Sequence, residues 1–252
     1  MRHLTISTVA AIALFASALA SALAYEFSPI VAVFSPSGAG AVRTFVVHNT
    51  QPETVALQIG AVRRFQHEDG TESREPELED FIITPPQMVV APGGRQTVRA
   101  QWIGDPSPDS ELAYRFIVTQ APIRYQREVQ PDTIANVTLG YRYEAAVYVT
   151  PNGAAPRARI IRAEPVVGDD GIVRLALTIE SFGETRAILE NPVVVVADAQ
   201  GGSVTLEGEA VRLLENLNIL AGSRLTVNVD WPSGLAEGPV EASITTSYYI
   251  AR

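Results

Sequence analysis

The sequence contains no cysteine, which excludes disulfides, thiolate metal sites and cysteine nucleophiles together. Histidine is nearly as scarce. Only His3, His48 and His67 occur, too few to build a zinc centre or histidine-based nucleophilic catalysis. Positive charge is in deficit, 19 basic against 28 acidic side chains for a formal net charge of −9, so the field that draws nucleic acid or anionic lipid is missing. No phosphate-cradling glycine loop and no nucleophile elbow is present. The acidic stretch Glu68 to Asp80 lacks the ligand spacing of a calcium loop and reads as a solvated hairpin. These absences predict a protein that is not an enzyme, with no cofactor, no metal site and no nucleic acid partner.

Long hydrophobic runs are also lacking, apart from one at the start. Arg2 and His3 precede an apolar stretch from Val9 to Leu19, and Ala22-Leu23-Ala24 forms a small-x-small site before Tyr25. That pattern predicts a cleaved signal peptide over residues 1–24 and export from the cytoplasm. The stretch is interrupted by Ser17 and falls short of the ~20 residues a membrane span needs, so no membrane insertion is expected.

What is abundant is short, β-prone runs punctuated by 18 glycines and 17 prolines in a chain that is 46% hydrophobic. Runs rich in Val, Ile, Thr, Tyr and Phe cover 30–34, 42–48, 55–65, 81–84, 96–103, 113–120 and 136–150, then 159–164, 172–180, 192–197, 225–229 and 240–249. No helical period persists, and Asp69-Gly70 and Asp170-Gly171 are tight-turn signals because glycine tolerates the positive φ that hairpins demand. The pattern predicts an all-β chain of two immunoglobulin-like β-sandwich domains arranged at an angle. The expected division is 25–151 and 152–252, joined near Pro151-Asn152-Gly153 where proline removes a ladder donor.

Two neighbouring features stand out. Residues 122–135 carry Arg124, Arg127, Glu128, Gln130, Pro131 and Asp132, a long polar stretch that reads either as a surface connection or as a functional loop. The run after it alternates over thirteen residues: Val137, Leu139, Tyr141, Tyr143, Ala145, Val147 and Val149 share one face. Ordinary strands hold about 5 to 6 residues, so the beginning of this one is expected to project as an apolar edge open to another chain, unless the preceding loop folds back to cover it.

The segment Phe81-Ile82-Ile83-Thr84-Pro85-Pro86 through Pro92-Gly93-Gly94-Arg95-Gln96-Thr97-Val98-Arg99 resembles the first-domain signature of the PapD-like periplasmic pilus and fimbrial chaperones. Ala32-Val33-Phe34, Val47-His48-Asn49, and Glu111 ahead of Tyr114-Arg115-Phe116 are similar to motifs of the same family. In the second half, Ile179 to Arg186 and Ile219 to Arg224 are most similar to its archaic branch. The resemblance implies a periplasmic chaperone that lends its long strand to an incomplete pilus subunit and delivers that subunit to an outer-membrane usher. Val137, Leu139 and Tyr141 fall on the donor positions.

Some positions depart from the family pattern. The basic pair that holds the subunit's terminal carboxylate reads Val31 and Ala146 here, with Arg142 as a possible substitute contact. The interdomain bridge of the family implies roles for Glu111 and Glu237, but the arginine it needs at the end of the long strand is Thr150, which leaves Arg157 or Arg159 to supply the charge. Two other readings stay open from sequence: a secreted immunoglobulin-like adhesin or pilus structural subunit, and a carbohydrate-binding module, for which only Trp102 and Trp231 offer indole surfaces.

Overall fold

In the computed structural model, residues 25–77, 79–121 and 141–250 are described. The strands in chain order are β1 (Tyr25–Ser28), β2 (Val31–Phe34), β3 (Val42–Asn49), β4 (Val55–Gln66), β5 (Glu72–Glu77), β6 (Phe81–Thr84), β7 (Gln87–Val90), β8 (Arg95–Trp102), β9 (Leu112–Gln120) and β10 (Arg142–Val149). They are followed by β11 (Ala158–Val167), β12 (Val173–Ser181), β13 (Ala187–Asp198), β14 (Ser203–Leu206), β15 (Asn218–Ile219), β16 (Arg224–Asp230) and β17 (Val240–Tyr248). Short 3-10 turns at Gly38–Ala41 and Gly208–Leu214 are the only helical pieces among the described residues.

The first sandwich packs the sheet β1-β3-β8-β6 against the sheet β2-β10-β9-β4, with β5 and β7 both pairing β4. Alternation decides which side chains turn inward. In β3 the buried residues are Phe45, Val47 and Asn49; in β8 they are Val98, Ala100 and Trp102. An aromatic cluster fills the centre, with the Phe116 ring 5.0 Å from Phe81, 5.3 Å from Phe45 and 6.3 Å from Phe34. Phe116 is fully buried, so Phe116→Ala is expected to cost about 3–5 kcal/mol in urea unfolding; a loss under 1 kcal/mol would contradict this packing.

The second sandwich packs β11-β12-β16 against a sheet in which β13 is central, with β14 and β15 on one side and β17 on the other. Its core is aliphatic, built on Leu175, Leu177, Ile179, Leu189, Val194, Val196, Leu214 and Ile219. The β13–β17 register shifts between Glu190 and Val193, where Asn191 takes φ 49° ahead of Pro192. Proline cannot donate to a ladder, which accounts for the irregularity there. The expected strand 192–197 is therefore longer than the sequence suggests, because β13 runs through its own bulge from Ala187.

The strands expected from alternation are present among the described residues, the expected run 136–150 as Arg142–Val149 with 136–140 outside them, and the ones not foreseen are short or polar: β1, β5, β7, β14 and β15. β5 reads Glu-Ser-Arg-Glu-Pro-Glu and pairs only because the Asp69-Gly70 turn returns the chain beside β4. In that turn Gly70 has φ 83°, and Asp69 accepts hydrogen bonds from the amide and hydroxyl of Thr71 at 2.9 and 2.6 Å.

The hairpin expected here is present and largely exposed, and it also joins the two sandwiches. The Gln66 side chain bridges the strand β15 region, donating to Asn218 O at 3.0 Å and accepting from Leu220 N at 2.9 Å. The Glu68 carbonyl accepts from Thr226 N at 2.8 Å, and its carboxylate meets Thr226 Oγ1 and Arg162.

Candidate functional site: the strand β10 and its cleft face

Strand β10 lies between β9 and β2. Against β9 it is antiparallel over its full length, Arg142 opposite Thr119 through Val149 opposite Leu112. Against β2 it is parallel and shorter, pairing only Ala146 with Val31 through Val149 with Phe34. The Ala146 amide donates to Ile30 O and the Thr150 amide to Phe34 O, so even-numbered residues direct their main chain toward the β2 side. Two residues earlier in each step, Arg142 and Glu144 direct theirs to a side where no strand pairs among the described residues. Among the described residues, the N-terminal half of β10 thus has one main-chain edge without a partner strand.

The core face of β10 holds Tyr143, Ala145, Val147 and Val149, the last three fully buried. Tyr141 continues that face, half-buried against the first core. Of the three donor positions expected from sequence, Tyr141 alone lies within the described residues; Val137 and Leu139 lie outside them.

The opposite face carries Arg142, Glu144, Ala146 and Tyr148. The chain has no lysine, so all 19 basic side chains besides histidine are arginines, and several gather here. Glu72 on β5 meets Arg64, Arg115 at 3.2 Å and Arg74 at 3.5 Å; Glu144 meets Arg74 at 2.8 Å and Arg142 at 2.9 Å. Four guanidinium groups share two carboxylates, an excess of two positive charges on one sheet face. Burial pushes the Glu72 carboxyl up, but Arg64 and Arg115 outweigh it and hold it below its ordinary value. Glu144 behaves likewise, burial being overcome by Arg74 and Arg142.

Carboxylates depressed in the folded state stabilise it fully above their unfolded value and lose that contribution as pH falls through the folded one. Stability is therefore expected to be level above about pH 5 and to fall below it, with Glu72→Gln flattening the fall. Denaturant midpoints measured between pH 3 and 7 check this, and an unchanged acid limb in the variant would contradict it.

Val31 and Ala146, the two positions that the resemblance marks as altered anchor positions, are registered directly against each other. Val31 is 47% exposed, and Ala146 is buried with Ala113, Tyr148 and Leu220. Neither can pair with an anion. The base nearest in register is Arg115, opposite Ala146 on β9. Arg142 is half-exposed and already paired to Glu144.

At the hinge, the Glu111 carboxylate is buried and accepts from Arg186 Nη1 at 2.5 Å, Thr150 Oγ1 at 2.6 Å and Arg186 N at 3.2 Å. The Arg186 guanidinium also stacks 3.6 Å over the Tyr148 ring. The charge that meets Glu111 thus corrects the expectation of Arg157 or Arg159. Arg159 instead pairs with Glu180 at 2.6 Å, and Arg157 is exposed. Glu237 lies exposed in the connection between β16 and β17, with no ion pair among the described residues. Sequence reading quoted Arg186 within a motif without giving it a role; its partner is 75 residues away, a separation that no local pattern encodes.

Two immunoglobulin-like sandwiches joined at a charged hinge, with one strand of the first paired on one side only over its first half among the described residues, define a class of two-domain β proteins. Residues 35–155 match the family of pili and flagellar-assembly chaperones, PapD N-terminal domain. That match supports the resemblance of the first sandwich to the PapD-like pilus-assembly chaperones. The class 5 fimbriae chaperone CfaA has a similar fold, with 13% identity and a TM-score of 0.54 over 90% of this chain and 100% of that one. A chain of the CsuC–CsuE chaperone–tip adhesion subunit complex, from the archaic Csu pili of Acinetobacter baumannii, matches with 15% identity and a TM-score of 0.53. It covers 84% of this chain and 90% of that one. No curated protein matches the sequence.

Proposed function

We propose that this protein is a periplasmic, non-enzymatic chaperone that holds an incomplete pilus subunit by donor-strand complementation and passes it to an outer-membrane usher. Residues 25–151 form the chaperone domain in this reading, and residues 1–24 are the export signal. The observation that carries it is the unpaired edge of β10 at Arg142–Ala145, next to a core face that the sequence extends through Tyr141 to Leu139 and Val137. An edge of this kind offers main-chain hydrogen bonds, and the alternating side chains fill successive pockets. Each buried side chain contributes roughly 1.5–3 kcal/mol.

Arg142 and the surplus positive charge around Glu72 and Glu144 support a contact with the subunit's terminal carboxylate. That contact takes over from the anchor lost at Val31 and Ala146.

Co-expression tests the reading. A subunit encoded beside this gene is expected to accumulate in periplasmic extract only when the chaperone is present, and to co-purify with it one to one. A subunit that is equally soluble and monomeric without the chaperone would defeat the proposal.

A further inference from the structure

Tyr25 is a fully buried phenol that the donor-strand reading does not use. It sits on β1, in the sheet opposite β10, paired with Asn49 of β3. Its side chain crosses the sandwich, and its hydroxyl lies 2.9 Å from Val118 O and 3.1 Å from Tyr141 O. The Tyr143 ring lies beside it, its centroid 4.7 Å from that of Tyr25. Burial, ahead of the neighbouring Tyr143 phenol, raises the Tyr25 pKa far above its ordinary value, so the group remains a donor at any physiological pH.

These contacts fall at one place. Val118 is opposite Tyr143, and the next rung is the Gln120 amide to Tyr141 O, long at 3.4 Å. On the other side of β10 this stretch has no β2 partner among the described residues. A single stretched rung would otherwise hold the start of the strand. For packing alone phenylalanine would serve as well; the hydroxyl gains only through the two carbonyls it engages.

We propose that Tyr25 is the positioning residue that fixes the register of β10 against β9 at Tyr141, the residue from which the donor-strand reading carries the strand on toward the subunit. It does so by tying the carbonyls of Val118 and Tyr141 to β1. The proposal rests on the donor-strand reading and adds what sets its register. Side chains alternate with period two, so a one-residue slip at this point would turn Val137 and Leu139 away from the subunit.

The test uses the full chain carrying Tyr25→Phe, Tyr25→Met or Leu139→Asp, with amide exchange of the free chaperone and dissociation of a co-purified subunit as readouts. Tyr25→Phe is expected to speed exchange of the Gln120 amide and subunit dissociation each by about five- to tenfold, the scale of one lost hydrogen bond. The Val147 amide and the thermal midpoint should hold. Tyr25→Met, which also loses ring volume, is expected to lower the midpoint and to accelerate dissociation to the same degree as Tyr25→Phe.

A purely structural role would instead grade both effects by lost volume, leaving Tyr25→Phe like the parent; that result overturns the proposal. Leu139→Asp separates the two layers. Retained capture in that variant defeats the donor-strand reading, while Gln120 exchange in Tyr25→Phe still decides whether the tie exists.

Discussion

Leu139→Asp combined with Tyr141→Asp is expected to abolish recovery of the subunit, lowering its affinity at least a thousandfold. A carboxylate driven into an apolar groove must either stay charged without a partner or take up a proton, and either course costs several kcal/mol. Two such groups on one face leave the donated strand with main-chain bonds alone, and every pocket-filling contribution is reversed in sign. The two single variants should differ in the free chaperone. Tyr141 packs against its own core and its carbonyl receives the Tyr25 hydroxyl, so Tyr141→Asp is expected to lower the thermal midpoint as well as capture. Leu139→Asp is expected to lower capture with the midpoint unchanged. Pull-down yield beside a thermal melt reads both, and full recovery of subunit by the double variant would remove the donor strand from the account.

The second large effect belongs to the hinge. Arg186→Ala leaves Glu111 buried with Thr150 as its remaining side-chain donor, and Glu111→Ala leaves a buried guanidinium stacked on Tyr148. Breaking one side of such a pair costs about 3–5 kcal/mol. Replacing both with apolar groups of similar size costs far less, because no uncompensated charge remains. The double variant Glu111→Leu/Arg186→Met is therefore expected to be more stable than either single alanine variant in denaturant unfolding. Single variants that each lose less than 1 kcal/mol would show that the pair is solvated in solution. The same substitutions should loosen the docking of the sandwiches, since Glu111 N also donates to Glu184 O at 2.7 Å across the hinge.

Much of the first sandwich was legible because its strands are amphipathic on a period of two. Phe45 and Val47, or Val98 and Ala100, announce a buried face without any neighbour being known. The short strands β1 and β7 escaped notice because each stands directly beside a proline, Pro29 after β1 and Pro86 before β7, which marks a strand boundary or turn in sequence. β5 escaped because it is charged on both faces and is a strand only by virtue of its turn. The core face of β10 was legible as far as Tyr141, because the same period of two continues through it. Val31 and Ala146 could be recognised as departures from the family, yet nothing local showed that they are register partners.

The sequence by itself determined the all-β character, the two-part layout and the greasy side of β10, because each follows from spacing along one strand or from a turn residue. Only the tertiary structure decided that Arg186 answers Glu111, that the Asp69-Gly70 hairpin clasps the second sandwich, and that a phenol from β1 reaches the carbonyls of Val118 and Tyr141. Those contacts join residues 75, 152 and 93 positions apart. Electrostatic and hydrogen-bond partners are chosen by distance in space, and distance in space is set only once both sheets have closed over their cores.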